Sequence, residues 1–423
     1  MRVLLVNAFH YLRGGVERTY FDESRWLEDA GHQVLHFATR DPRNVLSPSA
    51  GHFAPAADFG ETAAAGRLLA QLPRAFWSRP AARAIDGLIR ETRPDIAHVH
   101  APSRYLTPAF LRPLERAGVP IVMTLHDFKP WCTNRIMFAR GAPCERCRGG
   151  QHWHALTTGC VQDSRAKSAV AMIEAYAHAA VGAYRAVRRW VAPSRFVLEK
   201  AVEHGVARAD LRLLPHGVEA GAATGTSTAV DLPSGPFFFF AGRLSVEKGV
   251  RLLPALATHL APTPVLVAGE GPLGDWLANE TRSTPNLRLL GHVEDAVLAT
   301  LRATAAVVVV PSLFYEHFSY AAAEALLDRR PVVASAIGAI PELVEHEVSG
   351  LLVPPGDADA LCDAVDRALI DAKAPGWGEV GRERVAGLGE PRKHLEGLLS
   401  IYRETMDDSQ AGKPARRAEE RSA

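Results

Sequence analysis

Apolar runs of strand length that lack polar alternation recur along this chain, and each is followed by a long stretch rich in Ala, Leu and Arg. The runs fall at 2–7, 33–38, 95–99, 119–125 and 189–193. A strand that is apolar on both faces must be covered on both, which demands a parallel sheet with helical crossovers. Residues 219–235 (EAGAATGTSTAVDLPSG) carry Gly, Ala, Ser and Thr without periodicity and read as a linker. The alternation restarts at 236–241, 264–268, 286–290, 305–310, 331–334 and 350–353. The pattern predicts an α/β chain of two doubly wound, Rossmann-like domains facing across a cleft, the first over 1–218 and the second over 236–388. A C-terminal helix at 389–406, beyond a turn at Gly387 and Gly389, can pack on either domain. Residues 407–423 lack apolar content and are expected to be disordered. Open sheets of this kind bind ligands outside the carboxyl ends of their strands, so the chemistry is expected just after strands.

Composition removes other classes. The chain has 423 residues, enough for about two to three domains that each bury a core. Its 48 basic and 47 acidic residues leave a net charge of +1, with no surplus for nucleic acid. The first apolar run is too short for a signal peptide and ends at Asn7, so it reads as a strand. The best candidate for a membrane span, 168–184, is interrupted by Glu174 and His178 and followed by Arg185, Arg188 and Arg189, which favours a buried amphipathic helix. Five cysteines without an export signal imply a reducing compartment and a cytoplasmic location.

Three post-strand segments can carry chemistry. Gly14 and Gly15 lie between the first strand and first helix, where glycines let backbone N–H groups approach a phosphate. In Ala241-Gly242-Arg243-Leu244-Ser245-Val246-Glu247-Lys248-Gly249, Ser245 reads as an N-cap and Lys248 falls in the first helical turn. Only seven of the basic residues are lysines, so a Lys here overrides the Arg bias of the chain. A cation at that position opposes the helix dipole unless an anion binds, and Arg243 with Lys248 can clamp a diphosphate. The third segment follows strand 305–310 and places Glu316 in a loop and Glu324 about two turns into a helix. Both carboxylates suit sugar hydroxyls, and N–H groups around Phe318, Ser319 and Tyr320 can reach a phosphate.

Cys132, Cys144, Cys147 and Cys160 fall within 29 residues as C-x11-C-x2-C-x12-C, in a segment of about 130–160. A C-x2-C knuckle with two flanking thiolates is compatible with a tetrahedral structural zinc; free thiols and disulfides are the alternatives.

Taken in order, these strings resemble the retaining glycosyltransferases of family 4, which have the GT-B fold. AGRLSVEKG resembles their donor-phosphate motif, and Glu316 and Glu324 match the E-x7-E signature. GEGPL, GAIPELV and SGLLVPPGD follow in the usual order, and the likeness extends over most of 1–370, including Gly14-Gly15 and Leu125-His126-Asp127. The cysteine-rich segment with its CERCRGG string resembles an insertion found in a bacterial subset. The resemblance implies an acceptor-side first domain and a donor-binding second one. It implies that Arg243 and Lys248 hold the donor diphosphate, Glu316 the transferred sugar and Glu324 the ribose, with Gly15 facing the diphosphate and His126 beside the reacting sugar. Gln151, His152, Trp153 and His154 adjoin the cysteines and are candidates to receive the acceptor. Two departures stand out: Ser319 occupies a position that is usually glycine, and Asp328-Arg329 replaces a Cys-Gly pair.

The function expected is transfer of a hexose-type sugar, with retention, from a nucleoside diphosphate sugar to an acceptor hydroxyl in polysaccharide, glycolipid or glycosylated-metabolite synthesis. Cations and helix N-termini would stabilise the leaving group, so neither a catalytic metal nor an organic cofactor is expected. The acceptor would be a sugar, a lipid-linked group or a metabolite; a lipid-linked one brings peripheral contact with the inner face of the membrane. A nucleotide-sugar epimerase and a non-catalytic sugar-nucleotide binding protein are the rival readings.

Overall fold

The computed structural model describes residues 1–56, 76–219, 232–371 and 374–412. It divides into two compact units: Met1–Ile136, Glu145–Gly217 and Pro391–Ala423 form the first, and Met137–Cys144 with Val218–Glu390 the second. Of the segment read as a linker, 220–231 lies outside the described residues.

The first unit is built on a six-stranded parallel sheet. Its strands are β1 (Arg2–Val6), β2 (Gln33–Phe37), β3 (Ile96–Val99), β4 (Ile121–Thr124), β7 (Arg189–Ala192) and β8 (Leu211–Leu213), in the order β2-β1-β3-β4-β7-β8. Between β4 and β7 in the chain, β5 (Phe138–Ala139) and β6 (Ala142–Pro143) make a short antiparallel pair. Strand β8 escapes the sequence reading because it is three residues long with Arg212 at its centre, so it presents no apolar run. Leu4, Val6, Ala97, Val99, Ile121 and Met123 pack into one core layer, and Val3, Leu5, Ile96, Val122 and Val191 into the other, as a two-residue repeat covered on both faces requires.

The second unit repeats the plan with β9 (Phe238–Ala241), β10 (Val265–Ala268), β11 (Leu287–Gly291), β12 (Val307–Val310), β13 (Val332–Ser335) and β14 (Gly350–Val353), in the order β11-β10-β9-β12-β13-β14. Phe239, Leu266, Val308 and Val332 face one core layer, and Phe238, Phe240, Val265, Val267, Val307 and Val309 the other. In each sheet the strand order reverses beside the first strand, between β1 and β3 and between β9 and β12. These are the switch points at which a doubly wound sheet opens a ligand crevice.

Several local expectations change. Gly387 and Gly389 do not form a turn but end the helix Ala374–Gly389; the break falls at Glu390, because a residue before proline disfavours helical angles, and Pro391 starts the next helix. That helix, Pro391–Gln410, returns to the first unit and buries Leu398, Ile401 and Tyr402 against Val3, Leu5 and Val122. It also runs past 406 into the segment expected to be disordered. Arg189 reaches Glu404 at 3.1 Å and pairs with Asp408, and Arg212 donates to Glu404 at 2.8 Å, so ion pairs hold the last turn where apolar residues do not. Residues 413–423 lie outside the described residues.

The apolar stretch 168–184 contributes to the helix Arg165–Ala180, in which Glu174 pairs with Lys129 at 3.0 Å and His178 bonds the Phe76 carbonyl at 2.7 Å. No helix among the described residues is long and apolar enough to cross a membrane.

Tyr402 is fully buried, and its hydroxyl lies 2.8 Å from His98 Nδ1 on β3. Tyr402→Ala is expected to destabilise the first unit by about 3–5 kcal/mol, as other large aromatic truncations in cores do. Urea unfolding followed by hydrogen exchange in β1 and β4 checks this.

Candidate functional site

The motifs of the second unit are loops at the carboxyl ends of its strands, and their backbones interlock. Gly242 N–H donates to Ala268 O at 3.0 Å, Leu244 N–H to Glu270 O at 2.9 Å and Leu273 N–H to Leu244 O at 2.9 Å, which ties the loop after β9 to that after β10. Leu313 N–H donates to Glu247 O at 2.8 Å, and Ala339 N–H to Glu316 O at 2.9 Å, which brings in the loops after β12 and β13. Two glycines make the approach sterically feasible. A Cβ on Gly249 would stand 1.9 Å from Pro311 O, and one on Gly338, at φ +60°, would stand 2.5 Å from Glu316 N. Gly338→Ala combines a left-handed backbone with a collision against backbone atoms, so a loss of about 2–4 kcal/mol from the second unit is expected, readable as a lowered urea midpoint.

Lys248 Nζ donates to Glu316 Oε1 at 2.7 Å, and Ser312 Oγ donates to the same oxygen at 2.7 Å. Glu316 is only 5% exposed, while the Lys248 side chain is 30% exposed and stands 5.0 Å from the Phe314 ring centroid. An ammonium has three donors, so Lys248 keeps capacity for an anion, and Oε2 of Glu316 can accept from a hydroxyl. Arg243 is exposed on the same loop. The helical expectation for this loop needs correction: Val246–Lys248 is a single 3₁₀ turn ended by left-handed Gly249, and Ser245 makes no side-chain cap. Its Oγ is buried without a hydrogen-bond partner.

Ser319 sits at φ −94°, where any residue is comfortable, and its hydroxyl caps the helix Tyr320–Leu327 by accepting from Ala322 N–H at 3.5 Å. The serine in place of glycine therefore costs no backbone strain. Phe318 is buried and packs edge-on to Tyr320 at 5.3 Å between centroids. Glu324 is the fifth residue of that helix, just over one turn in rather than two, and is 6% exposed. Buried Arg302 spans two carboxylates, donating to Glu324 Oε2 at 2.8 Å and to Asp328 Oδ2 at 2.6 Å. Asp328 thus gives the departure from Cys-Gly a purpose as the second anchor of the arginine that orients Glu324. Arg329 carries the cost, at φ 57° where the usual glycine would be unstrained.

In the first unit Gly14 precedes the helix Gly15–Asp29, and a Cβ there would meet nothing within 4 Å. The turn is open but does not demand glycine. Glu17, buried in the first helical turn, is pushed up by burial, while Asn7 at the end of β1 donates to it at 3.3 Å and opposes the shift.

His126 follows β4 and joins a row of imidazoles. His100 Nδ1 lies 3.0 Å from His126 Nε2, and the His126 ring stacks on that of His216 at 5.1 Å. Behind His100, Glu23 presents Oε2 at 3.5 Å from His100 Nε2 and 3.2 Å from His98 Nδ1, and Oε1 at 3.0 Å from His394 Nε2. His394 comes from the C-terminal helix, and its Nδ1 donates to Pro215 O at 2.7 Å. A carbonyl and a carboxylate can only accept, so both nitrogens of His394 carry hydrogen and the ring is an imidazolium. Burial alone would raise the Glu23 carboxyl and lower His394, but the histidines around Glu23 hold it well below its ordinary value, and Glu23 holds His394 above its own. Stability from Glu23 is present above its ordinary value of 4.5 and lost as pH falls through the lowered folded value. Stability from His394 is present below 6.5 and lost as pH rises through the raised folded value. The contribution of this pair to the first unit is expected to be greatest between those two values and to vanish in Glu23→Gln, which urea unfolding across pH measures.

The structure lends no support to the cysteines as a metal centre. None of the five cysteines is in a disulfide. Among the described residues, the group whose ligand atoms lie within 4.8 Å of one another is Glu23, His98 and His100, and the sulfurs of Cys132, Cys144, Cys147 and Cys160 are not gathered as a set. Cys132 Sγ instead donates to Asn134 Oδ1 at 2.9 Å, and Thr133 Oγ1 lies 3.5 Å from Cys160 Sγ. Next to them, His152 is buried against Tyr176, Trp153 is half-exposed and stacked on His154, and His154 Nε2 meets Gln151 Oε1 at 3.3 Å.

Sequence reasoning missed Glu23, His98, His100, His394 and Arg302. His98 and His100, two apart across the end of a strand, carried a local signal; His394 lies 371 positions from Glu23 and carried none.

Residues 13–221 match the model of Glycosyltransferase Family 4, and residues 235–371 match that of Glycosyl transferases group 1. The chain is 36% identical over 147 residues to an uncharacterized glycosyltransferase of Methanocaldococcus jannaschii, which covers 33% of this chain and 36% of that protein. It is 33% identical over 178 residues to a glycogen synthase of Mycobacterium tuberculosis, or 40% of this chain and 42% of the relative. The matches thus span about two fifths of these relatives. The crystal structure of Anabaena HepE in complex with UDP superposes with a TM-score of 0.66 at 18% identity, covering 96% of this chain and 100% of that one. The fold is GT-B, and the two family matches on either side of the linker support a glycosyltransferase of that architecture.

Proposed function

We propose that this chain is a retaining glycosyltransferase that moves a hexose-type sugar from a nucleoside diphosphate donor to an acceptor hydroxyl in polysaccharide, glycolipid or glycosylated-metabolite synthesis. The observation that carries the reading is the Lys248–Glu316 contact of 2.7 Å at the switch point between β9 and β12. It couples a cation suited to a departing phosphate to a carboxylate suited to the sugar that stays behind. Arg243 adds a planar fork beside Lys248, Glu324 takes the ribose, and backbone N–H groups from Phe318 to Tyr320 meet a phosphate. On the first unit, Gly14 and Gly15 are the turn assigned to the diphosphate and His126 the group assigned to the reacting sugar. HepE, a structural neighbour, has been crystallised with UDP-glucose, which is consistent with a nucleotide-sugar donor here.

The reading of retention is supported by where charge is collected. The cationic and helix-terminal groups cluster at the leaving phosphate, whose oxygen can take the acceptor proton on the face it departs from. No carboxylate pair is assigned to activate an acceptor from the opposite face. Incubation with a panel of α-linked nucleoside diphosphate sugars is expected to yield an α-linked product, and the proton NMR coupling of its anomeric centre decides; a β-linked product would overturn the mechanism. In the same assay Lys248→Ala is expected to lose roughly 30- to 1000-fold in kcat/KM, about 2–4 kcal/mol. Glu324→Ala should act on KM, because ribose is unchanged in the reaction.

A further inference from the structure

The stretch 168–184, apolar but for Glu174 and His178, folds with its polar residues turned inward. On the helix Arg165–Ala180, Ser168 and His178 are buried, and Glu174 is covered by its ion pair with Lys129 at 3.0 Å. Val170, Ile173 and Tyr176 are exposed, Ile173 by 54%, and so is Val181 directly after the helix. Ala166, Ala177 and Ala180 are exposed with them, so the outer face of the helix is apolar along its length. A surface helix normally turns that stripe to the core. The short helix His154–Thr158 packs alongside, where the Tyr176 hydroxyl accepts from Trp153 N–H at 3.2 Å. It adds Trp153 and, three residues on, Leu156, both exposed. A single exposed apolar side chain needs no explanation, but six large ones on two adjoining helices make a patch of the kind that marks an interaction surface.

The charges around the patch select what covers it. From 164 to 188 the chain has four cations, Arg165, Lys167, Arg185 and Arg188, and one carboxylate, Glu174, which Lys129 neutralises. At about 3.6 residues per turn, exposed Arg165 and Lys167 stand on opposite sides of the apolar stripe. Their stems can lie along it while their heads stay in water. A second copy of the chain would bring the same cations to the patch and no acid to meet them. An anionic bilayer supplies what the patch lacks: acyl depth for Val170 and Ile173, a headgroup level for Tyr176 and Trp153, and phosphates for Arg165 and Lys167. We infer that this face is a membrane-docking surface, on which the helix Arg165–Ala180 lies in the plane of an anionic bilayer. The helix rests on the bilayer and does not cross it, because Glu174 and His178 are held by Lys129 and the Phe76 carbonyl of the first unit. Docking is read without turnover, so the inference does not depend on the transferase reading.

The test is sedimentation of the full chain with vesicles of phosphatidylcholine, with or without about one third phosphatidylglycerol. The wild type is expected to partition onto the anionic vesicles at least about tenfold more strongly than onto the neutral ones, and to lose that difference at high salt. Ile173→Glu puts a charge in the middle of the stripe and is expected to weaken binding to the anionic vesicles by at least about tenfold. Arg165→Glu with Lys167→Glu, which suits the start of a helix, should bring binding down to the level of the neutral vesicles. These side chains are exposed, so the urea midpoint should not move; Val170→Ser gives the second reading if Ile173→Glu does not fold. Equal partition onto the two vesicles, or undiminished binding in Ile173→Glu, overturns the inference. A wild-type oligomer that Ile173→Glu dissociates, seen by sedimentation velocity without vesicles, overturns it in favour of a second copy on this face. Anionic binding that Ile173→Glu abolishes, in a chain that turns over no nucleotide sugar, upholds the docking surface and overturns the transferase reading instead.

Discussion

Parallel strands can be joined only by crossovers, so every strand of each sheet delivers its carboxyl end to the same edge. The rest of this molecule depends on that constraint. It gathers loops that are far apart in sequence and makes the switch points, between β1 and β3 and between β9 and β12, the places where they splay. In the second unit the splayed loops carry Lys248 and Glu316; in the first they carry Gly14 and the strand-end histidines. Hydrophobic burial on both faces then makes the edge rigid, since neither sheet can tilt a strand without exposing a core layer.

The two edges solve their electrostatics differently. In the second unit, charges are paired but still reachable: Lys248 is part-exposed and shares Glu316 with Ser312. In the first unit the charge is fully interior. Glu23 and His394 neutralise each other out of reach of solvent, so the strand-end histidines stand over a paired charge rather than a bare one. Arg302 plays the corresponding interior role beneath Glu324, with Asp328 absorbing its second donor face.

Most of the fold was legible because its signal is local. Continuous apolar runs marked eleven of the twelve long-sheet strands, and β8 was missed because Arg212 breaks its three residues. The loops of the second-unit candidate site were equally legible, since each motif directly follows its strand. What stayed hidden was the partner of each group: that Lys248 meets Glu316, that Asp328 shares Arg302 with Glu324, and that Glu23 meets His394. Such contacts are decided by tertiary packing, which spacing along a chain does not encode. The cysteine cluster shows the same limit from the other side. Its spacing suggested a ligand set, while the path of the chain between Cys132 and Cys144, with left-handed residues at Arg135, Met137 and Arg140, is not encoded in that spacing.

The return of Pro391–Gln410 to the first unit has a consequence for biosynthesis. Leu398, Ile401 and Tyr402 complete a core layer that begins with Val3 and Leu5, and His394 supplies the cation for Glu23. On the ribosome, the first sheet must therefore wait, with one face covered only in part, by Tyr20 and Leu27 of the helix Gly15–Asp29, and a carboxylate unpaired, while residues 218–390 are made. At typical synthesis rates that interval is roughly 10–35 s, long compared with the folding of a single domain. The whole second unit thus has to emerge before the first can finish folding.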